Sequence, residues 1–162
     1  MSLSLDIRVS SRLWRNLPGA RALARRAVAA AVAQSAVRLA EGAEMSLTLS
    51  DDAELRALNA RWRGLDKPTN VLSFPAAPPE RLSEAPIVGD VIVAYETMAR
   101  EAEEEGKPLV DHFRHLVVHG ALHLFGYDHE SEAEAEAMEA LERRILASLG
   151  VADPYAAEAP AA

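Results

Sequence analysis

The residues best placed to do chemistry lie in one run, His119-Gly120-Ala121-Leu122-His123-Leu124-Phe125-Gly126-Tyr127-Asp128-His129. Residues four apart stand one above the other on a helix, so His119 and His123 can aim at one point. Gly126 can take a positive φ without a Cβ clash, end the helix and turn the chain back. The return brings His129 to a third corner. Three imidazoles with a fourth position open describe a catalytic zinc site rather than a closed structural one, and the expected cofactor is one Zn²⁺ per chain.

All five histidines of the chain fall between positions 112 and 129. His112, His115, His119 and His123 share roughly one helix face, yet one helix cannot supply three ligands to one ion. His115 and His123 are separated by roughly 12 Å of helix rise, against Zn–N bonds of about 2.0–2.1 Å. The third ligand must come from beyond the helix. His129 is the natural choice and Asp128 its rival by adjacency, though Asp128 fits better as an acceptor that orients an imidazole. His112 is expected to be exposed and His115 to pack near the site.

A chain of 162 residues suits one domain with one core. Its 49% hydrophobic and 26% charged content is ordinary for a globular protein. No apolar run approaches the length of a membrane span. The opening MSLSLDIRVS lacks a signal-peptide core, and the absence of cysteine excludes disulfides and thiolate metal sites. The expected location is cytoplasmic. The net charge of −8 is uneven: residues 1–67 carry 11 basic and 7 acidic side chains, whereas the remainder is strongly acidic. Most of the cations are arginines, including Arg21, Arg25 and Arg26, a type suited to bidentate phosphate contacts. On charge alone an ordinary solvated helix face is the favoured reading.

The elements that must position the histidines follow from periodicity and punctuation. Leu3, Leu5, Ile7 and Val9 alternate as a strand, residues 20–39 form a helix, and Met45, Leu47 and Leu49 form a second strand. Asp51 with Glu54 resembles a capping box that opens a helix through about Trp62. Val71 to Phe74 is a short strand, and the proline-rich residues 75–86 are a loop. Ile87 to Ala94 reads as a buried strand, followed by a helix from Tyr95 to Glu105. Pro108 opens the histidine-bearing helix. Ser131 with Glu134 caps a last helix that ends at Gly150. The expectation is an α+β fold, a single domain over 1–150 with a small four-stranded mixed sheet covered by about five helices, and a disordered tail over 151–162.

A three-histidine zinc site polarises a bound water or a substrate oxygen, so hydrolysis is the default chemistry. The spacing H-x3-H-x2-G-x2-H equals that of the metzincin peptidases, but Gly120 replaces their general-base glutamate. Glycine there removes negative charge and bulk beside the metal, which suits an anionic substrate such as a phosphodiester. Upstream, Asn59-Ala60-Arg61-Trp62-Arg63-Gly64-Leu65-Asp66-Lys67-Pro68-Thr69-Asn70-Val71-Leu72-Ser73-Phe74 holds three cations, a turn and a strand. If that strand edges the metal cleft, Arg63 can stabilise the charge that grows on a phosphorane-like transition state; spacing alone favours a surface turn with solvated arginines.

The run HGALHLFGYDH looks like the signature of the YbeY family of bacterial endoribonucleases. The segment LNARWRGLDKPTNVLSFP is similar to that family's second signature, and Gly89-Asp90-Val91-Ile92-Val93 resembles its Gly-Asp strand. The resemblance runs from about Leu47 to Leu146. It implies a zinc-dependent, single-strand-specific endoribonuclease in 16S rRNA 3′-end maturation and ribosome quality control. It also implies single-stranded RNA or an rRNA precursor as substrate and the ribosomal small subunit as a partner, with no DNA or membrane. By position, His119, His123 and His129 would bind zinc, and Arg63 would be the catalytic arginine. Asn70 stands where many members have aspartate. Two other readings compete: a metallopeptidase-like hydrolase, which the missing glutamate disfavours, and a non-catalytic RNA-binding ribosome-assembly factor whose metal only braces the fold.

Overall fold

The computed structural model describes residues 3–156. The strands are β1 (Leu3–Val9), β2 (Ala43–Ser50), β3 (Val71–Pro75) and β4 (Ile87–Ala94). The helices are α1 (Ala20–Gln34), α2 (Asp52–Arg63), α3 (Tyr95–Glu105), α4 (Leu109–Leu124) and α5 (Glu132–Ser148). The sheet order is β1-β2-β4-β3. β1, β2 and β4 run parallel, and β3 lies antiparallel along β4 as an edge strand. This is the α+β single domain with a four-stranded mixed sheet that the sequence implies. No helix of the described residues is long and apolar enough to cross a membrane.

Both N-caps form where the spacing places them, though the glutamates' return bonds of a full capping box are absent among the described residues. The Asp51 side chain accepts the Glu54 amide and the Ser131 hydroxyl accepts the Glu134 amide, which satisfies N–H groups that a first helical turn leaves open. Gly64 and Gly106 close α2 and α3 in the left-handed region.

α4 is the central helix. Phe113, Leu116, Val117, Val118, Ala121, Leu122 and Leu124 are all buried, so it is apolar nearly all round, as a helix packed on several sides must be. It packs on β3 and β4 and against α1, α3 and α5. Gly120 lets it come down onto the sheet: a Cβ there would lie 2.7 Å from Val91 Cγ1 and 3.3 Å from Ser73 Oγ. The glycine is thus explained by helix-on-sheet packing, whereas the sequence suggested relief of bulk beside a metal. Gly120→Ala is expected to lower stability by about 1–2 kcal/mol. Overpacking costs about 1–3 kcal/mol, offset by up to about 1 kcal/mol of helix propensity. Thermal denaturation checks this, and an unchanged or raised Tm would show that Val91 can yield.

Two further expectations change. Residues 75–86 are not featureless: Pro79–Glu84 makes a 3-10 turn and Leu82 is buried in the main core. The tail expected to be disordered from Val151 starts with packed residues, since Val151 joins the core and Pro154 is buried. Positions 157–162 lie outside the described residues.

Candidate metal centre

α4 ends with His119 and His123 one turn apart, and their Nε2 atoms face each other at 3.1 Å. The helix stops at Leu124, Gly126 turns the chain with φ +99°, and His129 swings back. Its ring centroid lies 5.0 Å from that of His123 and 6.0 Å from that of His119. One nitrogen from each of the three imidazoles falls within 4.8 Å of the others. Tetrahedral zinc with Zn–N bonds of about 2.0–2.1 Å holds its nitrogens about 3.3 Å apart. The His119–His123 separation is already close to that, and His129 completes a donor set of three imidazole nitrogens.

The strongest sign that the set suits a metal lies behind it. Glu142, on α5, is fully buried. Its Oε1 accepts a hydrogen bond from His119 Nδ1 at 2.8 Å. Its Oε2 accepts from His115 Nε2 at 2.6 Å and from the Tyr155 hydroxyl at 2.7 Å. Burial pushes the Glu142 carboxyl pKa up, but the hydrogen bonds and charges of His115 and His119 outweigh it and set it at about 2. An ionised carboxylate can only accept, so His119 carries its proton on Nδ1 and turns the Nε2 lone pair toward His123 and His129. A carboxylate that fixes the imidazole tautomer is the usual support for a histidine ligand. His115, His119 and Glu142 also have ligand atoms within 4.8 Å of one another, but their contacts have hydrogen-bond lengths, so this group braces the triad.

The pKa of His123 is lowered by burial and by the neighbouring His119 and His129. A depressed value keeps its lone pair available at neutral pH. Burial, with the charge and hydrogen bond of Glu142, raises the Tyr155 pKa, which keeps that hydroxyl a donor.

The open side of the triad faces a cavity of about 510 Å³. Arg63 reaches it from the end of α2, Asn70, Val71 and Ser73 from the β3 side, and Asp128 from the turn. Spacing alone left this meeting of Arg63 with the histidines conditional on β3 edging the cleft, and β3 is indeed an edge strand that lines it. Arg63 is exposed, with no hydrogen bond or ion pair to the described residues. Asn70 Nδ2 donates to Glu101 Oε1 at 2.9 Å, and His112 Nε2 bonds the same oxygen at 2.9 Å. Burial raises the Glu101 pKa, but these two hydrogen bonds and the His112 charge bring it below the ordinary value.

His112 was expected at the surface; it is 5% exposed and held by Glu101. His115 packs beside the site, as expected. Asp128 was expected to orient an imidazole. Its Oδ1 instead accepts the backbone N–H of His129 at 2.8 Å, and Glu142 performs the orienting role on His119. Glu142, Tyr155 and Glu101 were missed. The one sequence signal for Glu142 is its spacing: it lies four residues from both Met138 and Leu146, on the apolar stripe of α5.

A family model described as Endoribonuclease YbeY matches residues 15–150. A protein of Rhodopseudomonas palustris (strain BisA53) named Endoribonuclease YbeY is 56% identical over 154 residues, 93% of this chain and 89% of its own length. One of the same name from Methylocella silvestris is 50% identical over 151 residues, 93% of this chain and 85% of its own. A solution structure of a Thermotoga maritima protein matches with a TM-score of 0.55 at 21% identity, covering 98% of this chain and 99% of that one, and supports the fold.

Proposed function

The chain belongs to the endoribonuclease YbeY family, and from that premise we propose that it cuts single-stranded RNA in 16S rRNA 3′-end maturation and ribosome quality control. The reading takes an rRNA precursor as substrate, the ribosomal small subunit as partner and the cytoplasm as the place of work. The observation that carries the chemical part is the meeting of three imidazoles, braced by Glu142, with a free arginine in one cleft.

In this proposal His119, His123 and His129 hold one Zn²⁺. Bound there, zinc supplies Lewis-acid polarisation of an oxygen at the open position. The protein's own contributions follow from the geometry. Glu142 holds the His119 ring in its ligating tautomer. Arg63 faces the phosphodiester and offers guanidinium donors to the non-bridging oxygens, whose charge grows as the phosphorus gains a fifth neighbour. Asn70, held by Glu101, presents a neutral amide to the cleft, so one anionic group fewer opposes the phosphate.

The test is cleavage of single-stranded and duplex RNA by the purified chain, with Arg63→Ala beside wild type. Wild type is expected to cut the single strand and spare the duplex. Arg63→Ala should fold normally, because the side chain is exposed and unpaired, and should lose about 10²–10³ in kcat, the usual cost of removing one transition-state donor. If Arg63→Ala weakens binding and leaves kcat intact, the arginine binds rather than catalyses. If folded, metal-loaded wild type leaves every RNA uncut, the assembly-factor reading replaces this one.

A further inference from the structure

The metal cleft adjoins a second groove. This neighbour, of about 360 Å³, is walled by Val37, Arg38, Leu82 and Phe125. Pro79, Gly126 and Tyr127 line both it and the metal cleft. The divide between the two is therefore formed by these three residues. A Cβ on Gly126 would come within 2.9 Å of Pro79 Cβ, so the missing side chain lets these two residues pack closely where the two cavities adjoin.

The far bank is fixed in place. The Tyr127 hydroxyl accepts the Ala36 backbone N–H at 3.2 Å, which ties the segment after α1 to the turn that carries His129. Arg38 stands on that segment, exposed, with no hydrogen bond or ion pair among the described residues. On a chain of net charge −8, two unpaired arginines thus line two adjoining cavities: Arg63 the metal cleft and Arg38 the neighbouring groove. The groove floor between them is apolar, with Leu82 and Phe125 buried beneath it.

We propose that this groove is a subsite for the nucleotide next to the scissile phosphate, with Arg38 binding the backbone phosphate beyond it and the base resting on the apolar floor. A single strand fits such a track, because alternating phosphates and unpaired bases match a cation followed by an apolar surface, and binding by stacking and charge is tolerant of sequence. A duplex hides its bases and cannot fill the floor. The inference rests on the endoribonuclease reading and extends it to the path of the RNA.

The experiment measures Kd for a fluorescent oligouridine 12-mer by stopped-flow anisotropy before turnover, over a salt series, with kcat and KM from cleavage. Wild type, Arg38→Ala and Arg38→Lys are compared as zinc-loaded full-length protein. Each phosphate contact on a single strand contributes about 0.7 to the slope of log K against log salt. Arg38→Ala should therefore bind about fivefold more weakly at 0.1 M salt, with a slope about 0.7 shallower. Its kcat should stay close to wild type, and Arg38→Lys should restore both Kd and slope. If wild type cuts RNA but Arg38→Ala leaves Kd and slope unmoved, the subsite is overturned alone and the groove belongs to another occupant. If wild type neither binds nor cuts the 12-mer, the subsite and the endoribonuclease reading fall together.

Discussion

His123→Ala is expected to empty the metal site and abolish RNA cleavage in the same protein. The residue is half-buried at the C-terminal end of α4, its Nε2 is 3.1 Å from that of His119, and its lowered pKa leaves it unprotonated for a cation. Removing one of three ligands leaves two imidazoles, too few to hold zinc against solvent. Metal analysis on protein purified without a histidine tag should fall from about one zinc per chain to near none. The lost Lewis acid is worth several kcal/mol, which at about 1.4 kcal/mol per decade is a thousandfold or more in kcat. A chelator should act on wild type as the mutation does, and added zinc should rescue wild type alone. Cleavage that survives complete loss of metal would refute the assignment of the triad.

The second large effect is expected at Glu142, which touches no substrate. Glu142→Ala strands the Tyr155 hydroxyl and the His115 and His119 ring donors around a new cavity. Each buried unpaired donor costs about 1–3 kcal/mol, so a loss of about 3–5 kcal/mol is expected. For a chain of this size that lowers Tm by about 10 °C. Glu142→Gln keeps the volume but exchanges an acceptor for an amide N–H that opposes one of the three donors. It should fold and bind zinc about 10–100-fold more weakly, the usual effect of removing a ligand's orienting partner. Competition with a zinc indicator reads the affinity, and equal affinity in Gln and wild type would show that the carboxylate only supports the fold. The pH behaviour follows from the same group. Its folded pKa of about 2 lies below the ordinary 4.5, so its stabilising contribution is complete above about pH 4.5 and is lost as pH falls toward 2.

These two residues mark the limit of what the sequence discloses. The grouping of His123 was legible because its partners are local: an imidazole four residues before it and another six after it, with a glycine between, are a pattern of one helix and one turn. The strands and helices were legible for the same reason, since apolar period and caps act over a few residues. Glu142 was not, because its meaning depends on α5 packing against α4, and within Glu-Ala-Glu-Ala-Glu-Ala-Met-Glu-Ala-Leu-Glu it resembles the exposed acidic residues around it. His112 was misplaced for a related reason, since its partner Glu101 sits on α3. Gly120 was read as relief around the metal because the ligands flank it in sequence, whereas its missing Cβ would point at β4. The family resemblance supplied Arg63, and the edge position of β3 explains how that arginine reaches the cleft.

The order in which these parts lie along the chain matters during synthesis. All three imidazoles are in place once residue 129 has been made, but the carboxylate that sets the His119 tautomer arrives with α5, the last helix of the described residues. A nascent chain that has just released His129 carries every ligand and no brace, and a fragment cut short before Glu142 would remain so. The three imidazoles therefore gain their carboxylate brace only after α5 has been made, later than Arg63 and the four strands. A chain still lacking α5 should therefore hold zinc more weakly than the finished fold, so the strength of the site follows the packing of α5 on α4.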